Sequence, residues 1–93
     1  MTGKHAMMQM LVAEGVEYVF GNPGTTESPI MDALESYPDL KYVLVVQEGV
    51  AMGMADAYAR ATGKPAFVNL HIETGLGNGI SLLHNAFDGG TPL

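Results

Sequence analysis

The amino-acid sequence predicts an α/β fold in which a mostly parallel sheet carries helices on both faces. Short runs of β-branched and aromatic residues alternate with longer runs of helical periodicity along the chain. These strand-like runs are apolar throughout and lack the alternating polar residues of a half-exposed strand. Strands of that kind are typical of a parallel sheet that is buried on both faces and joined by right-handed crossovers.

Seven elements are predicted, in the order αβαβαβα. They are a helix from Thr2 to about Glu14, a strand over 16–20, a helix from Ser28 to about Ser36, a strand over 41–46, a helix over 49–62, a strand over 66–70 and a helix over about 77–88. Thr2 can cap the first helix, and Gly15 can end it. Ser28 and Pro29 form an N-cap and first-residue pair for the second helix.

Turn residues mark where the remaining predicted elements begin and end. Pro38 and Asp39 form the turn before the second strand. The third helix is rich in Ala and Met and stops at Gly63, because a proline follows two residues later. The segment over 89–93 has the composition of a turn that leads into a further strand, so we expect the chain to be a truncated domain.

Composition limits the classes of partner. The chain has 93 residues, of which 47% are hydrophobic, enough for one small domain or part of one. Four basic residues against ten acidic ones give a net charge of −6, so we expect neither nucleic acid nor a membrane as a partner. Neither a signal-peptide core nor an apolar run of about 18 residues occurs, and we expect a cytoplasmic protein.

The sequence offers no metal site of its own. It has no cysteine, and its three histidines, His5, His71 and His84, are too scattered for a metal-binding motif. We therefore expect any metal ion to be bound elsewhere.

Glu48 is the strongest candidate for chemistry. It lies where the apolar strand over 41–46 gives way to the helix over 49–62, so it is predicted at the carboxyl end of a strand. Ligands bind at that edge of open α/β sheets, and an acid in apolar surroundings is suited to proton transfer. A solvated loop acid or a helix N-cap explains the position alone equally well.

Three strand-to-helix loops, over 21–27, 47–49 and 71–77, are predicted to meet at this edge. Their glycines let backbone N–H groups approach a ligand, and the helix N-termini that follow favour negative groups. The segment over 75–79 is not a dinucleotide-binding fingerprint, because it lacks the full glycine spacing and follows the third strand.

Taken in order, five motifs resemble the N-terminal pyrimidine-binding domain of thiamine-diphosphate enzymes. They are FGNPG at 20–24, QEG at 47–49, ADAYARATG at 55–63, the Gly75-x-Gly77 loop, and Asn85-Ala86 before Thr91-Pro92-Leu93. The match spans essentially the whole chain and is similar to the branch of acetolactate synthase, benzoylformate decarboxylase and benzaldehyde lyase. The segment over 69–71 is most like benzoylformate decarboxylase.

The resemblance implies a role for each candidate residue. The acid that matches Glu48 hydrogen-bonds the cofactor pyrimidine in that family and activates the cofactor. His71 matches a histidine that moves protons to and from the covalent intermediates. Thr25 falls where related decarboxylases have a serine that contacts the substrate carboxylate. Pro23 and Gly24 are expected to shape the backbone beside the cofactor.

Other roles stay open for two of these residues. His71 can be a hydrogen-bonded histidine at a strand end, because related synthases do without it, and Thr25 can serve in a turn or a cap. Leu76 departs from the resemblance, since it stands where the common Thr-Gly-Pro-Gly pattern has proline. That departure weakens the transfer of cofactor contacts to the loop over 71–77.

The resemblance also implies partners that these residues do not supply. Family members bind the diphosphate through Mg²⁺ in a separate C-terminal domain, and neither Gly-Asp-Gly nor its downstream Asn occurs here. Residues 1–93 are therefore expected to form a partial N-terminal pyrimidine-binding domain with half a site, inactive alone. The cofactor lies between subunits in the family, so a homo-oligomer is implied.

Three functions follow as alternatives. The first is the N-terminal part of a thiamine-diphosphate-dependent 2-keto acid decarboxylase like benzoylformate decarboxylase, with Glu48 activating the cofactor and His71 relaying protons. The second is a carboligase like acetolactate synthase. The third is a non-catalytic binding or dimerisation module, a stand-alone pyrimidine domain that pairs with a separately encoded partner or with none.

Overall fold

The computed structural model describes all 93 residues as four helices around three strands. The helices are α1 (Gly3–Ala13), α2 (Ser28–Leu34), α3 (Glu48–Thr62) and α4 (Glu73–Asp88), and the strands are β1 (Tyr18–Asn22), β2 (Lys41–Leu44) and β3 (Phe67–Leu70). A short 3-10 turn, Thr25–Glu27, precedes α2. The strands form one parallel sheet in the order β2-β1-β3, which confirms the predicted α/β class.

Helices cover both faces of the sheet, because successive residues of a strand point to opposite sides. One core cluster joins the sheet to α3, and its buried members are Phe20, Val45, Ala51, Ala55, Ala59 and Ala66. The other joins α1 and α2 to the opposite face, and its buried members are Met8, Val16, Ala33 and Leu40. Phe67 packs against the second cluster and its neighbour Val68 against the first. None of the four helices is long and apolar enough to cross a bilayer.

Two glycines end helices as the sequence predicts. Gly63 has a φ of 70° and donates its N–H to the carbonyl of Ala59, and Gly15 after α1 has a φ of 84°. A β-carbon is disfavoured in this left-handed conformation, so glycine allows the chain to leave the helix and turn toward the following strand.

Several predicted limits are wrong by a few residues. β1 begins and ends two residues later than predicted, and β2 stops at Leu44. Thr2 occupies the N-cap position of α1 without a side-chain hydrogen bond. Ser28 already lies inside α2, whose N-cap is Glu27.

The largest difference concerns α4, which begins at Glu73 and not near residue 77. Gly75 and Gly79 are buried and lie against α3: a β-carbon on Gly79 would be 3.0 Å from Met52 Cγ. Glycine has a low helix propensity, but here close packing between two helices requires its small size. Gly75, which lies in the predicted loop, is therefore a contact residue of a helix.

Candidate functional site

The candidate site lies at the carboxyl edge of the sheet. Asn22 ends β1, Glu48 is the first residue of α3, and His71 directly follows β3. The three strands are parallel, so the segments that follow them meet at the same edge. Within this edge Glu48 contacts the end of β1, and His71 contacts the loop that follows it.

Glu48 is held by two amide side chains. Asn22 Nδ2 lies 3.4 Å from Glu48 Oε1, and Asn78 Nδ2 lies 3.1 Å from Glu48 Oε2. Gly75 passes beside the same carboxylate, where an added β-carbon would lie 3.4 Å from Oε1. A carboxylate oxygen can accept more than one hydrogen bond, so both oxygens are oriented and both keep acceptor capacity for a ligand.

Gln47 explains why α3 begins at this point. Its side-chain oxygen accepts the N–H of Val50 at 3.2 Å, which makes Gln47 the N-cap. Glu48 follows in the first turn, where a negative charge interacts favourably with the helix dipole. The N-cap role that was open for Glu48 therefore belongs to Gln47, and the Glu48 carboxylate faces the two amides.

His71 is paired with an acid that sequence reasoning did not select. His71 Nδ1 lies 2.8 Å from Glu27 Oε2, and the same oxygen accepts the N–H of Gly24 at 2.6 Å. Glu27 is only 8% exposed. The N–H of Gly24, and to a smaller extent His71, hold the pKa of Glu27 below its usual range, although burial acts in the opposite direction.

Gly24 provides the space for the His71 ring. A β-carbon on Gly24 would overlap the imidazole at Cε1 and at both nitrogens. Pro23 is half-buried in the same loop, and Thr25 begins the 3-10 turn with an exposed side chain. The structure thus brings all three loop residues next to His71, while their proposed contacts with cofactor and substrate stay predictions.

A second polar pair, Tyr42 and Asn69, spans the central strand β1. The Tyr42 hydroxyl donates to Asn69 Oδ1 at 2.8 Å, and Asn69 is buried. The pair crosses above Gly21, where a β-carbon would overlap the Tyr42 oxygen and the Asn69 carbonyl. Burial, and then the negative charge of Glu27, raise the pKa of Tyr42 to about 12. The phenol is therefore protonated and available as a donor at neutral pH.

Sequence reasoning missed the residues that hold Glu48 and His71. Glu27 accepts the N–H of Gly24 three residues earlier, which is one half of a capping box. Gly24 has no side chain for the other half, so the sequence carried only a weak signal for Glu27. Asn22 and Asn78 carry no comparable signal. They reach Glu48 across 26 and 30 residues of sequence, so only the fold brings them together.

Exposed apolar side chains lie near Glu48 and Asn78 along the chain. Val46 is 95% exposed and Val50 49%, each two residues from Glu48, and Leu76 and Ile80, 47% and 57% exposed, flank Asn78. Large apolar groups exposed together mark contact surfaces. No three His, Cys, Asp or Glu side chains are arranged to hold a metal ion.

Comparison with known proteins identifies one family. Residues 1–93 match the family described as thiamine pyrophosphate enzyme, N-terminal TPP binding domain. Benzoylformate decarboxylase of Pseudomonas aeruginosa is 46% identical over 89 residues, which are 95% of this chain and 16% of that protein. The acetolactate synthase large subunit of Haemophilus influenzae is 38% identical over 93 residues, which are 100% of this chain and 16% of that protein.

A solved structure extends the likeness to the fold. The thiamine diphosphate-dependent 4-hydroxybenzoylformate decarboxylase of Rhodococcus jostii RHA1 matches with a TM-score of 0.92 at 38% identity, covering 100% of this chain and 17% of that one. The chain therefore spans 16–17% of the length of these relatives. The likeness includes every element that carries the candidate site.

Proposed function

Because the chain belongs to the family of thiamine pyrophosphate enzyme N-terminal TPP-binding domains, we propose that it forms the pyrimidine side of the active site of a 2-keto acid decarboxylase. The observation that carries the proposal is the Glu48 carboxylate, oriented by two neutral amides at the carboxyl edge of the sheet. The similarity to benzoylformate and 4-hydroxybenzoylformate decarboxylases supports an aryl-substituted 2-keto acid as the substrate class.

The surroundings of Glu48 fit the pyrimidine ring of thiamine diphosphate. A carboxyl group can share a proton with a ring nitrogen, and the amides of Asn22 and Asn78 hold both of its oxygens in position. Gly75 leaves space for a flat ring beside Oε1. When bound, the cofactor supplies the electron sink for loss of carbon dioxide.

His71 is proposed to carry protons between substrate and solvent. Glu27 is ionised at neutral pH because its pKa is lowered, so it accepts the Nδ1–H of the imidazole. That hydrogen bond fixes the ring orientation and leaves Nε2 as the atom that exchanges protons. The His71 side chain is 33% exposed, so the ring is not sealed from solvent.

The loop before α2 is proposed to complete this half of the site. Gly24 gives the His71 ring its place, and Pro23 restricts the backbone between the contacts of Glu48 and those of His71. The exposed hydroxyl of Thr25 is proposed to donate a hydrogen bond to the substrate carboxylate. Thr25→Val would then raise KM more than it lowers kcat.

We propose that the diphosphate and Mg²⁺ bind outside these 93 residues. Glu27 and Glu48 place two acids at the edge of the sheet, and the chain has a net charge of −6. A diphosphate brought to this edge would be repelled by both acids, whereas the uncharged pyrimidine would not. The charge therefore favours a cofactor whose ring end points toward Glu48.

A second copy of the chain is proposed to cover the exposed apolar residues Val46, Leu76 and Ile80, which would remove apolar surface from water. The cofactor is proposed to lie at a subunit interface, between this domain and the diphosphate-binding part of another subunit. Sedimentation of the chain is expected to show a dimer, and Ile80→Lys should shift it to monomer. A purely monomeric parent chain would contradict this part of the proposal.

The function can be tested in a chimera. The chain would replace the matching N-terminal segment of Pseudomonas aeruginosa benzoylformate decarboxylase, to which it is 46% identical. With thiamine diphosphate and Mg²⁺ present, we expect decarboxylation of benzoylformate. Glu48→Gln should lower kcat by roughly 10²–10⁴, the range of general acid–base catalysis.

Glu35→Gln serves as the matched control, because Glu35 is an exposed acid at the end of α2. Its activity should equal that of the parent chimera. Full activity of Glu48→Gln would contradict the assignment. Acetolactate formation from pyruvate, without decarboxylation of benzoylformate, would identify the carboligase, and a folded but inert chimera would favour the non-catalytic module.

A further inference from the structure

We propose that Tyr42 is a positioning residue that acts through Asn69 to hold His71 against Glu27. The inference rests on the proton-transfer role proposed for His71 and extends it to a residue on a different strand. Tyr42 lies on β2 and Asn69 on β3, while β1 separates the two strands. Their hydrogen bond is therefore a side-chain tie that crosses the whole sheet.

The position of His71 explains why such a tie is needed. Leu70 is the last residue of β3 that is paired with β1, where it lies opposite Asn22. His71 follows directly and has left the ladder of backbone hydrogen bonds, so the ladder does not set its direction. Asn69 precedes it by two residues and still lies in β3, opposite Gly21 of β1. Holding Asn69 in place therefore holds the end of β3, from which His71 extends.

The tie depends on a single hydroxyl. Asn69 is 8% exposed, and its Oδ1 accepts from the Tyr42 hydroxyl at 2.8 Å. A buried amide oxygen that loses its donor must find another partner or stay unpaired, which is unfavourable. Loss of the hydroxyl would thus drive Asn69 to reorient and would release the end of β3.

Two glycines show that the sheet accommodates both polar pairs. Gly21 leaves room for the Tyr42–Asn69 pair over β1, and Gly24 leaves room for the His71 ring over the following loop. Each pair lies against a glycine at which a larger side chain would not fit. The effect of Glu27 on Tyr42 shows that the two pairs are close enough to interact electrostatically. The Tyr42–Asn69 and His71–Glu27 pairs therefore form one polar group at the carboxyl edge of the sheet.

The test uses NMR of the chain without cofactor or substrate. In the parent chain, the His71 ring protons should show a strong NOE to the Gly24 α-protons, because the ring occupies the space beside that carbon. Tyr42→Phe should weaken or abolish this NOE, and the carboxyl carbon of Glu27 should titrate at a higher pH, toward its ordinary pKa of 4.5. Both readouts are taken well below Tm, where lower stability alone would not change them.

Tyr58→Phe is the matched control. Its hydroxyl is buried but has no hydrogen-bond partner, so the same exchange removes a hydroxyl without breaking a hydrogen bond. We expect the NOE and the Glu27 titration of this variant to equal those of the parent. An unchanged Tyr42→Phe variant, or a Tyr58→Phe variant with the same loss, would overturn the proposal.

A double variant covers the case in which Tyr42→Phe does not fold. Tyr42→Phe combined with Asn69→Leu replaces both partners by apolar groups of similar shape, which is often nearly neutral for stability. A folded double variant that has lost the His71–Gly24 NOE supports the proposal, and one that retains it overturns the proposal. Neither result depends on catalysis by the chimera, so the failure of one inference is distinguishable from failure of the other.

Discussion

Helix α3 carries two acids with opposite surroundings, Glu48 in its first turn and Asp56 two turns later. Glu48 is half-buried and contacts only neutral amide donors, from Asn22 and Asn78. Asp56 is buried and its carboxylate accepts from three partners, which are Arg60 Nε at 2.8 Å, Thr91 Oγ1 at 2.6 Å and Asn85 Nδ2 at 3.3 Å. One of these partners is a guanidinium.

The difference distinguishes a site residue from a structural one. Arg60, and then the Thr91 hydroxyl, hold the pKa of Asp56 below its usual range, and together with Asn85 they use most of its acceptor capacity. The Asp56 carboxylate joins α3 to α4 and to the C-terminal segment, and because it is also buried it is poorly placed to bind a ligand. Glu48 is oriented but not saturated, so a ligand can still bind to it.

The largest expected effect separates the two acids by activity. Glu48→Gln should reduce kcat of the benzoylformate decarboxylase chimera by roughly 10²–10⁴. The same exchange should change the free energy of unfolding of the chain by no more than about 1 kcal/mol, because neither amide partner is charged and the main loss is the interaction with the helix dipole. The assay and a urea titration check the two values. A large loss of stability in Glu48→Gln would remove the distinction.

The next effect is the reverse pattern at Asp56. Asp56→Asn should lower Tm at neutral pH more than any other variant discussed here, because it leaves Arg60 without its partner. The pKa of Asp56 is lower in the folded chain than its ordinary 3.8, so its stabilisation is present above that value and is lost as the pH falls below it.

The parent chain should therefore lose Tm on acidification through and below pH 3.8, and Asp56→Asn should lose less over the same interval. Circular dichroism melts at a series of pH values measure this. Asp39→Asn is a suitable control, because Asp39 is an exposed acid in the turn before β2. Equal acid dependence in parent and Asp56→Asn would contradict the structural role.

A smaller effect tests whether the site needs the space that Gly24 leaves for the His71 ring. Gly24→Ala should destabilise the chain by about 1–3 kcal/mol, because the new methyl group would overlap the His71 ring. Gly77→Ala is the matched control. No atom lies within 4 Å of a β-carbon there, and Gly77 is inside α4, so the exchange should stabilise by about 0.5–1 kcal/mol. Denaturant titration of both variants checks the sign of each change.

The smallest effect concerns the charge of Glu27. His71→Asn should raise the pKa of Glu27 toward 4.5, but only in part, because the Gly24 N–H is the larger cause of the shift. The carboxyl resonance of Glu27 measures it. His84→Asn should leave that resonance unchanged, because His84 is an exposed residue of α4 that pairs with Asp88. No change in His71→Asn would mean that the two side chains do not interact in solution.

Local patterns predicted most of the fold. The apolar runs marked all three strands, Gly15 and Gly63 marked helix ends, and the strand-to-helix junction put Glu48 at the carboxyl edge. The prediction failed over 73–76, where the segment is helical and not a loop. Packing of α4 against α3, through Gly75 and Gly79, overrides the low helix propensity of glycine, and that packing is not a local property.

The sequence by itself determined the fold class, the family resemblance and the position of Glu48, because each depends on neighbouring residues and their periodicity. Only the tertiary structure decided the partners of the acids. Glu27 meets His71 across 44 residues, Tyr42 meets Asn69 across 27, and Asp56 meets Thr91 across 35. Such pairs have no spacing rule, since they form where parallel strands and their loops converge. A carboxylate on the same helix is therefore a site acid at Glu48 and a structural link at Asp56.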